Sequence, residues 1–117
     1  MHSLTSSADL DEAVRRSHEQ AVVIFKHSAT CGTSAMAHEE IEAFVEGAPW
    51  ADVFVVSVHG GRAVSDEIAA RFRVRHESPQ ALVIKNGELA WHASHFRVTS
   101  EAVAAALEKA GAPKPGG

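Results

Sequence analysis

Phe25-Lys26-His27-Ser28-Ala29-Thr30-Cys31-Gly32-Thr33-Ser34-Ala35-Met36-Ala37 carries the only cysteine of the 117-residue chain at a point where one periodicity gives way to another. Upstream, Ala21-Val22-Val23-Ile24-Phe25 is a short, β-branched apolar run, the pattern of a buried strand. Downstream, Ala37, Ile41, Phe44 and Val45 recur at helical spacing and predict a helix from Thr33 to Gly47. Cys31 is therefore expected where a strand hands over to the first turn of a helix. Unpaired backbone N–H groups and the positive end of the helix dipole meet at such a junction, and both favour a thiolate over a thiol. A thiol with a pKa near 8.5 is only about 3% ionised at pH 7, whereas one near 6 would be roughly 90% ionised.

Working outward, residues 1 to 7 are polar and expected to be loose. Ser6 with Asp9 three later reads as a capping box, and Leu10, Ala13 and Val14 give the following helix a buried stripe ending near Glu19 or Gln20. Beyond the cysteine-bearing helix, Gly47-Ala48-Pro49 is a stop, and Asp52 to Val58 is a second strand. Gly60-Gly61 makes a turn, Ser65 reads as the N-cap of a helix with Asp66 and Glu67 in its first turn, and Ile68 and Phe72 carry its apolar stripe. A third strand follows Ser78-Pro79 and runs to Lys85. Asn86-Gly87 is a strong hairpin signal, so Glu88 to Ser94 should return antiparallel. Thr99 or Ser100 caps a last helix with Val103 and Leu107 facing inward. Strands joined through helices lie parallel, and the hairpin adds an antiparallel edge. The expectation is one α/β domain over residues 1–110, a four-stranded mixed sheet with helices on both faces. Residues 111–117 form a Gly/Pro-rich tail expected to be disordered.

Bulk properties narrow the function classes. A hydrophobic fraction of 45% with 22% charged residues is ordinary for a soluble globular chain. A formal net charge of −4 offers no basic footprint for nucleic acid. No apolar run approaches the ~20 residues of a membrane span, and the N-terminus lacks a signal-peptide layout. One cysteine excludes an internal disulfide framework, so the expected compartment is a reducing cytoplasm, with neither nucleic acid nor membrane as partner.

A cysteine at a strand-to-helix turn, a Ser-Pro opening a later strand, and Lys-Asn-Gly at a hairpin together resemble the thioredoxin-like superfamily. The run His76-Glu77-Ser78-Pro79-Gln80-Ala81, then Lys85-Asn86-Gly87 and Trp91-His92-Ala93-Ser94-His95-Phe96, with Lys26-His27-Ser28 and Thr30-Cys31, is similar to the monothiol bacilliredoxins of the bacillithiol system. The resemblance extends over roughly residues 10 to 108. It implies a thioredoxin-like fold with Pro79 in the cis form, Cys31 as catalytic nucleophile, and a thiol- and substrate-binding set of Lys26, His27, Thr30, Gly32, Thr33, Ser34, Ser78 and Pro79. The family's Thr-Cys-Pro-Ile-Ser stands here as Thr30-Cys31-Gly32-Thr33-Ser34. Gly32 makes the run look also like the Cys-Gly-Phe-Ser of monothiol glutaredoxins. Relative to ordinary thioredoxins, Ser34 replaces the second cysteine and Phe25 replaces a buried acid.

With one cysteine, any disulfide must join Cys31 to another molecule. The implied activity is thiol–disulfide exchange that removes bacillithiol from client proteins, with bacillithiol as co-substrate and no bound cofactor. Its partners would be bacillithiolated client proteins and a low-molecular-weight thiol. Positive charge from Lys26 or His27 would favour the thiolate, and Lys26 would suit a carboxylate on the thiol's sugar–acid head group. Ser34, one turn beyond Cys31, would either bond the sulfur or cap the helix. Two other readings stand beside this one: a glutaredoxin-like iron–sulfur cluster carrier, two chains each giving Cys31, and a non-catalytic thioredoxin-fold binding module. Eight histidines raise the question of a metal, but none is expected. His92 and His95, three apart on a strand, would face opposite ways, and His38 lies two helical turns beyond Cys31. Trp91 and Phe96 read as packing residues.

Overall fold

β2 (Val22–His27) occupies the centre of the sheet because both of its faces are apolar. Val22 and Ile24 face one layer, Val23 and Phe25 the other, and all four are fully buried. The structure is a computed structural model that describes residues 1–28 and 32–111. β2 pairs in parallel with β3 (Asp52–Ser57) and antiparallel with β4 (Gln80–Lys85). β4 continues into β5 (Glu88–Ser94), and with β1 (His2–Ser3) at the opposite edge the order is β1-β3-β2-β4-β5. α2 (Gly32–Gly47) and α4 (Ser100–Lys109) cover one face, where Phe25, Ile41, Phe44, Val83, Val103 and Leu107 pack together. α1 (Ser7–Arg16) and α3 (Arg62–Phe72) cover the other, over Leu10, Ile24, Ile68, Leu82 and Ile84. No helix among the described residues is long and apolar enough to cross a membrane.

The described residues form five strands rather than the expected four. The addition is β1 (His2–Ser3), which pairs in parallel with β3 through His2–Phe54 and Ser3–Val55. The N-terminus is held, not loose: Leu4 is 1% exposed and its N–H donates to Val55 O at 2.8 Å. Two residues carry no readable alternation, so a single buried leucine is the only sign such an edge leaves in a sequence.

α1 stops at Arg16, earlier than Glu19 or Gln20, because Ser17 closes it. The Ser17 hydroxyl donates to Val14 O, accepts the Gly87 N–H at 2.9 Å, and the Ser17 carbonyl accepts the Asn86 N–H at 2.8 Å. The end of α1 is thereby pinned to the hairpin turn, where Asn86 and Gly87 have φ of 54° and 76°, the left-handed pair of a type I′ turn. The hairpin carries a bulge: Val83 pairs with Trp91 but Ile84 with Leu89, leaving Ala90 as the extra residue. α3 begins at Arg62, not beside Ser65. The Ser65 N–H donates to Gly61 O at 2.9 Å, already an intrahelical bond, and the Ser65 side chain is buried inside the helix. α4 starts as expected, with the Thr99 hydroxyl accepting the Ala102 N–H. Of the tail, Gly111 is a turn residue with φ 82° whose N–H bonds Glu108 O, and 112–117 lie outside the described residues.

Candidate functional site

The end of β2 and the start of α2 are drawn together by one short bond: the Ser28 N–H donates to Ser34 Oγ at 2.9 Å. Both serines are buried, Ser34 at 1% exposure. Of the residues expected at this junction, Thr30 and Cys31 lie outside the described residues, while Gly32 and Thr33 open α2. The loop after β3 is fastened to the same place. Val58 N–H donates to His27 O at 3.0 Å, and His59 Nε2 lies 2.7 Å from Ser28 Oγ.

The third wall comes from the segment before β4. The Ser78–Pro79 peptide bond is cis. Gln80, the first residue of β4, pairs with Lys26, so the cis Ser78–Pro79 step leads directly into the strand beside the end of β2. Pro79 is buried and its carbonyl accepts the His95 N–H at 2.9 Å, tying the hairpin's far end to the same wall. Ser78 Oγ is buried with no hydrogen-bond partner among the described residues. His27, Ser34, Ser78 and Pro79 thus converge on the junction that carries Cys31 in the sequence.

Lys26 and His27 do not act on the same side. Strand alternation sends His27 to the α2 face, where its ring stacks on Phe25 at 5.6 Å and meets His38 at 5.3 Å. Burial, and then His38, hold its pKa below the usual imidazole value. Lys26 goes the other way, under α3, and is fully buried rather than solvated. Its Nζ donates to Ser65 O at 3.1 Å and lies 3.4 Å from His76 Nδ1. Burial pulls the Lys26 pKa down to about 8 against the opposing pull of Asp66. Burial and the Lys26 charge likewise depress His76.

Two open hollows flank the junction. One of about 360 Å³ is bounded by His27, Ser34, His38 and Glu42, with His38 Nδ1 and Glu42 Oε1 2.8 Å apart. The other, about 300 Å³, lies between Thr33 and Met36 of α2 and the turn holding His95 and Phe96. Phe96 is not a packing residue: it is 72% exposed, whereas Trp91 does pack on the α2-side core. His95 has left the strand and enters a 3-10 turn (His95–Arg97), so the two-faces argument for His92 and His95 does not apply. No group of three or more metal-binding side chains occurs among the described residues. A more apolar pocket, by Phe44 and Trp50, sits at the C-terminal end of α2, about 20 Å of helix away.

Ser28, His59, Ser65 and His76 escape a reading of the sequence as site residues, although two signals were present. Strict alternation through Val22, Ile24 and Lys26 already separates Lys26 from His27. His76 belongs to the same His-Glu-Ser-Pro-Gln run that flags the cis proline.

Comparison with known proteins agrees with this geometry. Residues 2–103 match the family described as monothiol bacilliredoxin BrxC. A candidate oxidoreductase with a thioredoxin fold superposes with a TM-score of 0.82 at 31% identity, over 90% of this chain and 91% of its own. Fasciola hepatica thioredoxin gives 0.74 at 20% identity, covering 93% of this chain and 98% of its own. A mutant thioredoxin from Halobacterium salinarum gives 0.74 at 18%, over 97% and 93%. These last two likenesses establish the fold alone; the family match and the more similar relative go further, and the chain belongs to the monothiol bacilliredoxin family of thioredoxin-fold thiol oxidoreductases.

Proposed function

We propose that this chain removes bacillithiol from protein mixed disulfides, with the Cys31 thiolate as nucleophile. The observation that carries the reading is Ser34. Three residues after the only cysteine, where a second thiol would resolve a mixed disulfide internally, stands a buried serine engaged as acceptor for Ser28 N–H. The chain can take a thiol from a client but cannot discharge it alone.

In the reaction the Cys31 thiolate attacks the bacillithiol sulfur of the client mixed disulfide. A Cys31–bacillithiol disulfide forms, the client S–S bond breaks, and the client sulfur leaves as a thiolate that takes up a proton from water. A second low-molecular-weight thiol, as thiolate, then attacks the bacillithiol sulfur, regenerating Cys31 and leaving a small-molecule disulfide. Electrons are conserved, with one disulfide broken and one formed at each step. In the sequence Cys31 immediately precedes Gly32, the first residue of the 16-residue α2, and a thiol next to a helix N-terminus favours the thiolate form. The walls at His27, Ser78 and Pro79 would flank the incoming disulfide, and Thr30, Gly32 and Thr33 complete the proposed thiol-binding set.

The test is alkylation of Cys31 against pH, with Cys31→Ser as blank, followed by mass spectrometry after incubation with a bacillithiolated client. The expected results are a thiol pKa clearly below 8 and a bacillithiol adduct on Cys31. A pKa of about 8.5 or above with no adduct would overturn the reading.

A further inference from the structure

A cavity of about 160 Å³ opens beside this junction, lined by Val58, His59, Arg62, Ser65, Asp66 and His76. Its lining includes Ser65 and His76, whose carbonyl oxygen and ring nitrogen are the two contacts of the Lys26 ammonium. Among the described residues no carboxylate lies in ion-pair range of that ammonium. A buried cation held by neutral acceptors keeps its field, and low-dielectric walls project it into the cavity. Arg62 adds a second fixed positive charge at the rim and is 84% exposed. The one acid in the lining, Asp66, engages Arg62 only at 4.0 Å, with both side chains open to water. α3 also starts here, at Arg62, and its N-cap residue Gly61 supplies no side-chain cap. A side chain at that position is excluded by packing, since a Cβ would come within 2.9 Å of Ser57 O.

The cavity is joined to the reacting segment by the Ser28–His59 contact of 2.7 Å. Cys31 lies three positions beyond Ser28 in sequence, a reach of at most about 11 Å of extended chain. A thiol whose acid lies on the far side of a sugar suits that separation.

We infer that this cavity, with Arg62 at its rim and the Lys26 ammonium behind Ser65 and His76, is a carboxylate subsite that takes the acid head group of the low-molecular-weight thiol. The inference rests on the function proposed above and relocates the carboxylate contact: Lys26 supplies charge from within, and Arg62 supplies the exposed donor. Asp66 opposes binding and sets the affinity low enough for release.

The experiment uses one client protein carrying one cysteine, prepared as its bacillithiol and as its cysteamine mixed disulfide, the latter without a carboxylate. The readout is the ratio of kcat/KM for the two. Arg62→Gln should lower the ratio about three- to fivefold and Arg62→Glu further, whereas Asp66→Asn should raise it about twofold, the scale of exposed charge pairs. An improvement from Asp66→Asn is a direction that structural damage would not give. If the wild type accepts both disulfides but the ratio is the same in all four proteins, the subsite is refuted while the oxidoreductase reading stands. An acidic side chain on the client would move both rates together and leave the ratio flat, which also refutes it. If the wild type accepts neither disulfide, the proposed function fails and the subsite with it.

Discussion

Replacing Lys26 by methionine should make the protein more stable at neutral pH and remove a specific piece of its pH dependence. Lys26 is fully buried, and burial lowers its pKa from 10.5 to about 8. At about 1.4 kcal/mol per pH unit, that fall corresponds to about 3 kcal/mol of folding free energy. The unfolded chain holds its proton up to about 10.5 and the folded chain only to about 8. Between those values the unfolded state binds more protons, so stability rises with pH. Below about 8 the full cost is present. Methionine keeps the length and the stem packing, loses one hydrogen bond to Ser65 O, and leaves His76, which is exposed, to water. Exchanging a buried charge for an apolar side chain of similar shape stabilises proteins by about 1–4 kcal/mol, so Lys26→Met should gain about 1–3 kcal/mol at pH 7. The assay is urea unfolding of both proteins from pH 7 to 10, in a Cys31→Ser background so that the thiol does not titrate in the same window. The difference between them should shrink steadily above pH 8. Parallel curves, or a variant less stable at pH 7, would show that the ammonium is better compensated than its two contacts indicate.

Two further perturbations test the frame around the junction. Ser34→Ala removes the acceptor of a buried amide, Ser28 N–H, and should cost about 1–3 kcal/mol in urea unfolding; an unchanged midpoint would mean that the bond does not hold the junction. Leu4→Ala should cost about 2–4 kcal/mol and speed hydrogen exchange at the β3 edge near Val55, because this single buried side chain anchors β1. A loss below about 1 kcal/mol would make the N-terminal strand an ornament of the sheet.

The long elements were legible because each repeats its signal. β2 and α2 have unmixed periods, and Asn86-Gly87 names its own turn. β1 was not, since two residues contain no period, and neither was the start of α3, where Ser65 imitates a cap but is consumed by Lys26 and His76. At the candidate site, the positions of His27 and Ser34 at the junction and of Ser78 and Pro79 at the head of β4 were legible through their place in motifs. His59 was not, because its partner Ser28 lies 31 residues away across a parallel crossover. Lys26 shows the limit most clearly: a lysine at a strand's end looks solvated unless the helix that covers it is already known.

The two margins of the sheet govern how the molecule meets others of its kind. In the mechanism proposed above the client leaves as Cys31 takes up the bacillithiol, so any second route of adhesion would compete with its release. β1 offers an incoming strand only two residues, and β5, the opposite margin, is broken in register beside Val83 and carries Glu88 and His92 outward. Neither margin is a long, flat template, and so neither invites strand addition from a second molecule. The fold thereby guards against fibre-like stacking of one molecule on another.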